Sequence, residues 1–290
     1  MMRFEAERGR LLGLAYRMLG SYGDAEDAVQ DAWLRWQGVA EMPRNISAYL
    51  SMIVTRLCLD RLKQAQRHRE VYVGPWLPEP ILEDPVFTEP GAAVARDVSF
   101  ALMLALERLS PLERAAFVLH DVFDVPFAEV AVALGRSEAS CRQLASRARE
   151  HVRAGRPRFT VQPDEADAIA DAFFAASKSG DTEMLASLLV ETASLHTDGG
   201  GKKRAARNVI QGADRIARFY TGLAGKPHFA PPVWRRRLVL DGLPACLTVE
   251  ADGTREATLL DLRAGRVAAV YVVRNPDKLE RLWQAMGSCS

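Results

Sequence analysis

The residues best suited to chemistry lie in one short stretch, Val125–Arg153, which reads VPFAEVAVALGRSEASCRQLASRAREHVR. Ser140, Arg142, Gln143, Ser146, Arg147 and Arg149 share a helical segment whose apolar stripe is Cys141, Leu144, Ala145, Ala148 and Val152. Arginine and glutamine can read base edges through paired hydrogen bonds, and arginine and serine can hold phosphates. Arginines persist to Arg158 with only Glu150 opposing them, which favours DNA binding over an ordinary surface helix of a bundle. The elements that position these donors are legible. Phe127, Val130, Ala131 and Leu134 recur at helical spacing, and Gly135 breaks the run. Ser137 then caps a second helix that starts at Glu138. Two short helices joined by a glycine turn form the helix-turn-helix pattern, and small Ala131 and Ala145 allow close packing.

Composition bounds the rest. A chain of 290 residues, 48% hydrophobic, expects two or three domains with their own cores. A net charge of +1 hides a strong local asymmetry. Cys58, Cys141, Cys246 and Cys289 are far apart without a CxxC pair, which speaks against a zinc site or disulfide framework and for a reducing cytoplasm. MMRFEAERGR is charged at once, unlike a signal peptide, and no apolar run is long enough to span a membrane. No cofactor and no metal is expected.

Upstream, Phe4–Leu19 reads as a helix with Leu11, Leu12, Ala15, Met18 and Leu19 inward, ended by Gly20. Asp24 is the expected cap of the next helix, DAEDAVQDAWLRWQ, supported by Asp27. Its apolar side is Val29, Ala32, Trp33 and Trp36; its acidic face is Glu26, Asp27, Gln30 and Asp31. A third helix begins near Asn45–Ile46, with Ser47 as the alternative cap, and runs to about Arg69. It starts apolar (Tyr49, Ile53, Val54, Leu57, Leu59) and ends basic (Arg61, Lys63, Arg67, His68, Arg69). The two faces suggest two partner surfaces: acidic for a basic protein, basic for phosphates. VYVGPWLPEPILEDPVFTEP, from Val71 to Pro90, is a Pro-rich linker by composition. Trp76, Leu77, Ile81, Leu82 and Phe87 would each forfeit about 1.5–3 kcal/mol in water, so the linker is expected to dock on something. Ala92–Leu109 is a further helix, and Ser110–Pro111 opens the next.

Three stretches in this order resemble the bacterial sigma factors of the extracytoplasmic-function class. GDAEDAVQDAWLRW resembles their helix for core RNA polymerase, which implies Asp27, Gln30, Asp31 and Arg35 as polymerase contacts. AYLSMIVTRLCLDRLKQAQR resembles the helix that opens and reads the −10 element, which implies Arg44, Asn45, Tyr49, Thr55, Arg56, Arg61 and Lys63. The stretch ALERLSPLERAAFVLHDVFDVPFAEVAVALGRSEASCRQLASRARE resembles the −35-reading domain, which implies Ser137, Glu138, Ser140, Arg142, Gln143 and Arg147. Family members commonly carry a histidine where this chain has Ser146.

Such factors normally end near residue 155, and this chain continues. Asp164–Lys178 is an amphipathic helix, Gly180–Asp181 caps a second, Ser194–Thr197 is a strand and Ala213–Leu223 a helix. Alternating runs follow at Trp234–Leu240, Ala245–Glu250, Ala257–Leu262 and Val267–Val273, which predicts an α+β domain with an antiparallel sheet. This region resembles the SnoaL-like cone of ketosteroid-isomerase-type proteins. Three strings resemble signatures of the sigma-factor subgroup with a SnoaL-like extension, the SigJ-like type. They are Trp76, Leu77, Pro78, Glu79 and Pro80; Asp198, Gly199, Gly200, Gly201 and Lys202; and Asn275, Pro276, Asp277, Lys278 and Leu279. The resemblance implies that the extension modulates the sigma core in place of a separate anti-sigma protein. Asp198 and Lys202 flank a glycine loop that could grip the docked linker; a phosphate cradle is the rival, without the full P-loop spacing. Asn275–Leu279 is equally well read as a capped helix start.

A cone isomerase needs a carboxylate base and an oxyanion donor. His196, Asp198, Tyr220 and Asp261 are the candidates, and no two have a recognisable spacing. Protein–protein regulation, sensing of a small-molecule ligand and catalysis stay open in that order of preference. The reading is therefore a multidomain protein, not an enzyme. Residues 1–70 form a sigma-2 helical bundle, 71–95 a linker, 96–156 a sigma-4 helix-turn-helix domain and 160–290 an α+β SnoaL-like regulatory domain. Its partners are core RNA polymerase and promoter DNA, with no membrane. A ligand-responsive helix-turn-helix repressor is opposed by the acidic helix. A cone-fold isomerase- or cyclase-like enzyme with a DNA-binding front half is opposed by the missing acid–base pair.

Overall fold

The computed structural model describes residues 2–69, 72–82, 100–155, 163–226 and 230–287, with backbone alone at 2–3, 65–69, 154–155 and 163. The chain folds as two compact units, Met1–Val71 with Glu83–Arg156 and Tyr72–Leu82 with Pro157–Ser290. The expected boundary at 95/96 and the first part of the helix expected from Ala92 lie outside the described residues.

The first unit is all α. α1 (Met2–Leu19), α2 (Tyr22–Gln37) and α3 (Ile46–Arg69) pack on one another. Leu11, Leu14, Met18, Leu50 and Val54 are fully buried between them. Gly20, at φ +71°, ends α1. The cap of α2 is Ser21, not Asp24: the Ser21 hydroxyl accepts from the Asp24 amide at 3.3 Å. The reason is burial, because Tyr22 and Ala25 belong to the inward face and are drawn into the helix. Asn45 caps α3, its Oδ1 accepting from the Ala48 amide at 3.1 Å, while the Ser47 hydroxyl bonds Glu7.

α4 (Phe100–Glu107) precedes α5 (Pro111–Phe117), which opens with a full capping box between Ser110 and Glu113. A π turn, Val118–Val122, extends α5, an irregularity that hydrophobic periodicity does not reveal. α6 (Phe127–Leu134) and α7 (Glu138–Gly155) complete the unit.

The second unit is α+β. α8 (Pro163–Ser179) and α9 (Thr182–Leu188) lead into β1 (Leu189–Asp198) and the short β2 (Ile210–Gln211). α10 (Ala213–Ala224), β3 (Trp234–Leu240), β4 (Leu243–Val249), β5 (Arg255–Arg263), β6 (Arg266–Val273) and α11 (Pro276–Gly287) follow. The strand order is β2-β1-β6-β5-β4-β3. Phe173, Leu185, Leu195, Ile216, Leu260 and Val270 form the core between helices and sheet. The β3–β4 hairpin turns on Asp241 and Gly242, both at positive φ.

The expectation of an antiparallel sheet needs correction. β1 pairs with β6 in parallel, from Ser194 opposite Ala269 to Asp198 opposite Val273. β1 also starts five residues earlier than expected, because exposed Glu191 and Thr192 and a register shift before Ser194 interrupt the alternation. The parallel pairing has a direct consequence: both strands end at the same edge, so the loops after Asp198 and Val273 meet.

Candidate functional site

The helix-turn-helix is built as its residues dictate. Gly135 closes α6 in the left-handed conformation (φ +63°), and the Ser137 hydroxyl accepts from the Ser140 amide at 3.3 Å. Cys141, Ala145, Ala148 and Val152 are buried, which turns the opposite face of α7 outward. Ser137, Glu138, Arg142, Gln143 and Arg147 are exposed on that face, and Ser140 is half-buried at its edge. Arg142 bonds Glu138 one turn earlier at 2.7 Å and lies 5.3 Å over the Phe127 ring. Arg149 departs from the expected donor set: it binds Asp121 of the π turn at 2.5 Å and so ties α7 to its own unit. Arg156 and Arg158 lie outside the described residues. Burial raises the Cys141 thiol and pushes that of Cys58 up to about 12, so both act as packing groups.

On α2, Asp27, Gln30 and Arg35 are exposed and Asp31 half-buried. Leu34, 59% exposed, stands among them. Its exposure follows from its place off the inward stripe of Val29, Ala32, Trp33 and Trp36.

The residues assigned to the −10 element divide. Arg44 and Lys63 are exposed, the latter 3.2 Å from Asp60, and Tyr49 packs half-buried against Trp36. Thr55 is fully buried and cannot reach DNA from this position. Arg61 turns to α2, bonding Asp31 at 2.7 Å and the Asp24 carbonyl at 3.0 Å. The acidic and basic faces expected to be separate therefore neutralise each other where α2 and α3 touch. Asn45 donates to Glu129 at 3.3 Å, and Arg56 donates to the Val132 and Ala133 carbonyls at 2.9 and 3.2 Å. Those two carbonyls end α6, where the helix dipole favours a cation.

In the second unit the linker docks. Asp198, wholly buried at the end of β1, accepts from the Leu77 amide (2.9 Å), the Tyr72 hydroxyl (2.5 Å), the Gly200 amide (3.0 Å) and Lys278 Nζ (2.7 Å). Lys278 Nζ also donates to the Leu77 carbonyl and sits 3.9 Å from the Trp76 ring centroid. Burial and the Asp198 carboxylate raise the Tyr72 phenol, which keeps it a donor. Asn275 donates to Tyr72 at 3.2 Å and accepts from the Asp277 amide. Leu77, Pro78, Glu79, Pro80 and Ile81 are buried, and the Ile81 amide reaches Asp241 at 3.2 Å. Desolvation raises the Asp241 carboxyl well above the usual range.

The glycines are required here: a Cβ on Gly199 would lie 2.1 Å from the Lys203 carbonyl oxygen, and one on Gly200 2.4 Å from the Asn275 side chain. Gly201 follows at φ +71°. Lys202 does not grip the linker. It pairs with Asp277 at 2.6 Å on the surface, because the Gly199–Lys203 turn carries it outward. The buried cation is Lys278, one turn into α11, beside exposed Pro276 and buried Leu279. The side chains weighed for acid–base chemistry are engaged otherwise: Asp198 here, Asp261 with Arg263, His196 with Ser194, and Tyr220 between aromatic rings.

Comparison with known proteins fits this geometry. The family model of Sigma-70 region 2 matches residues 3–68, and that of Sigma-70, region 4 matches residues 99–152. The ECF RNA polymerase sigma factor SigJ of Mycobacterium tuberculosis is 42% identical over 95% of this chain and 91% of its own. The probable ECF RNA polymerase sigma factor SigI of the same species is 31% identical over 98% of this chain and 96% of its own. The crystal structure of SigJ superposes with a TM-score of 0.73 at 37% identity, covering 96% of this chain and 98% of that one. Two sigma-70 regions in the helical unit and relatives matched from end to end lead to one conclusion: the chain belongs to the extracytoplasmic-function (ECF) RNA polymerase sigma factors.

Proposed function

We propose that this ECF sigma factor carries core RNA polymerase to promoters by reading −35 DNA with α7 and opening −10 DNA with the start of α3, under the control of its own second unit. Sigma factors bind core RNA polymerase and promoter DNA, and the surfaces described suit those partners. The observation that carries the reading is the exposed set Arg142, Gln143 and Arg147 on a helix seated behind a glycine-capped turn. Glu138 and Ser140 complete the −35 set, with Ser137 at its start. On α2, Asp27, Gln30, Asp31 and Arg35 are the polymerase contacts, to which Leu34 adds an apolar one.

Arg44, Tyr49 and Lys63 serve the −10 element as the helices stand. Asn45 and Arg56 serve it once released from α6, so binding to polymerase must part α3 from α6. Arg61 serves first as the brace between α2 and α3.

The second unit regulates rather than catalyses. It holds Tyr72–Leu82, the segment between the two sigma regions, through Asp198 and Lys278, and this built-in grip takes the place of a separate anti-sigma protein. The protein acts in the cytoplasm, away from membranes.

Binding of labelled full-length protein to core RNA polymerase, beside a version ending at Gly155, tests this reading. Binding with Kd near about 1 nM by either form is the expected result, and the ratio between them gives the sign of the control. Binding by neither form would overturn it and favour a repressor.

A further inference from the structure

The second unit contains a cavity of about 740 Å³ that adjoins a smaller one of about 250 Å³, with Tyr220 and Glu256 lining both. The larger volume matches small-molecule sites, which span about 300–1,000 Å³. One wall is apolar: Phe219, Tyr220 and Leu223 of α10, with Val272 of β6. The other is polar and carries more basic than acidic groups: Lys202, Lys203, Arg204, Lys226 and Arg274 against Glu250, Asp252 and Glu256.

The charges on these walls do not cancel. Arg274 pairs with Glu256 at 3.2 Å, Glu250 with Lys178 at 2.9 Å, and Lys202 with Asp277 at 2.6 Å. Lys203 donates to the Thr254 hydroxyl at 2.8 Å. Hydrogen bonds from Thr254 and, after them, the charges of Lys203 and Arg274 lower the Asp252 carboxyl, a third acid on the cavity lining, without an ion pair to it. Among the described residues, Lys203, Arg204 and Lys226 have no carboxylate within ion-pair distance. Tyr220 is 8% exposed, its ring set edge-on to Phe173 and Phe219, and no described residue bonds its hydroxyl. The hydroxyl lies at the cavity lining, where it can donate to a ligand oxygen.

We propose that this cavity binds an amphipathic organic anion, a carboxylate carried on an apolar body. Lys203, Arg204 and Lys226 attract the carboxylate, the Tyr220 hydroxyl donates to it, and the α10 wall takes the apolar body. The inference rests on the regulatory reading of the second unit only for its consequence. The loop that walls the cavity at Lys203–Ala206 also meets the docked linker, since a Cβ on Gly74 would lie 3.4 Å from the Ala206 carbonyl oxygen and one on Gly201 3.5 Å from Val73. Arg274 joins the two sides, its guanidinium bonding the Arg204 carbonyl and its amide the Asp198 carbonyl. An occupant of the cavity therefore presses on the wall that supports the linker.

Calorimetric titration of the full-length protein with decanoate, and with decan-1-ol as the neutral counterpart, tests the proposal. Decanoate should bind saturably and at least about tenfold tighter than the alcohol. The combined variant Lys203→Gln, Arg204→Gln and Lys226→Gln should lose about tenfold in decanoate affinity at an unchanged melting temperature. Tyr220→Phe, which keeps the ring, should lose about threefold. Absence of saturable decanoate binding, or equal affinity in the triple variant, would overturn the proposal. The titration contains no polymerase, so a flat result removes the ligand and leaves the sigma-factor reading standing. Failure to bind core polymerase would do the reverse.

Discussion

The recognition helix and the linker clamp each join a basic side chain to a carboxylate at 2.7 Å, and the two pairs have opposite properties. Arg142 and Glu138 are 58% and 45% exposed, whereas Lys278 and Asp198 are 10% and 0% exposed. Water screens the first pair, so its net contribution is small and little holds Arg142 to Glu138 against the base contact proposed for it. The second pair is desolvated, and removing either partner strands a buried charge among bonds that also hold Leu77 and Tyr72. At equal distance, burial thus separates a pair that is easily exchanged from one that holds.

The largest test of this contrast is Lys278→Met, which should cost about 3–5 kcal/mol of second-unit stability in urea unfolding. A loss below about 1 kcal/mol would place the clamp with the exposed pairs. Gly200→Ala probes the same site through the backbone. Its Cβ meets Asn275 and its φ is +61°, so a loss of about 1–3 kcal/mol is expected in the same assay. At the other pole, Arg142→Ala should change stability by no more than about 0.5 kcal/mol. It should cost about 1–3 kcal/mol of promoter discrimination, read by competition among −35 variants on holoenzyme. Unchanged −35 preference would remove Arg142 from the reading set.

The smallest effect is a slope with pH. The buried Asp241 carboxyl titrates above its ordinary value. The folded protein therefore holds a proton that the unfolded chain releases, and this contribution to stability declines as pH rises above the usual carboxylate range. Asp241→Asn keeps a residue suited to the positive φ of the hairpin turn, and its melting temperature should fall less over that window than that of the parent. Parallel curves for the two proteins would show that Asp241 does not link the docked linker to pH.

Much of this was legible because it is local. Gly135 and Ser137 mark the end of α6 and the start of α7, Ser110–Pro111 announces α5, and Trp234–Leu240, read as one of the alternating runs, is the strand expected. The exposed set on α7 follows from the position of Cys141, Ala145, Ala148 and Val152. Thr55, Arg61 and Arg149 were less legible, because a polar residue on a helix can serve solvent, DNA or a neighbouring helix. Only packing distinguishes these uses: Thr55 is enclosed, Arg61 meets Asp31 and Arg149 meets Asp121.

The amino-acid sequence by itself determined most of the element types, the helix-turn-helix and the need of the linker for an apolar surface; the π turn and the two-residue β2 carry no such signal. It also marked the two glycine- and asparagine-led strings as special, without showing that they meet. Tertiary structure decided the cation of the clamp, choosing Lys278, eighty positions from Asp198, over the near neighbour Lys202. The physical reason is strand direction. Hydrophobic alternation reads the same for parallel and antiparallel neighbours, and only the parallel register of β1 with β6 brings the ends of both strands to one edge.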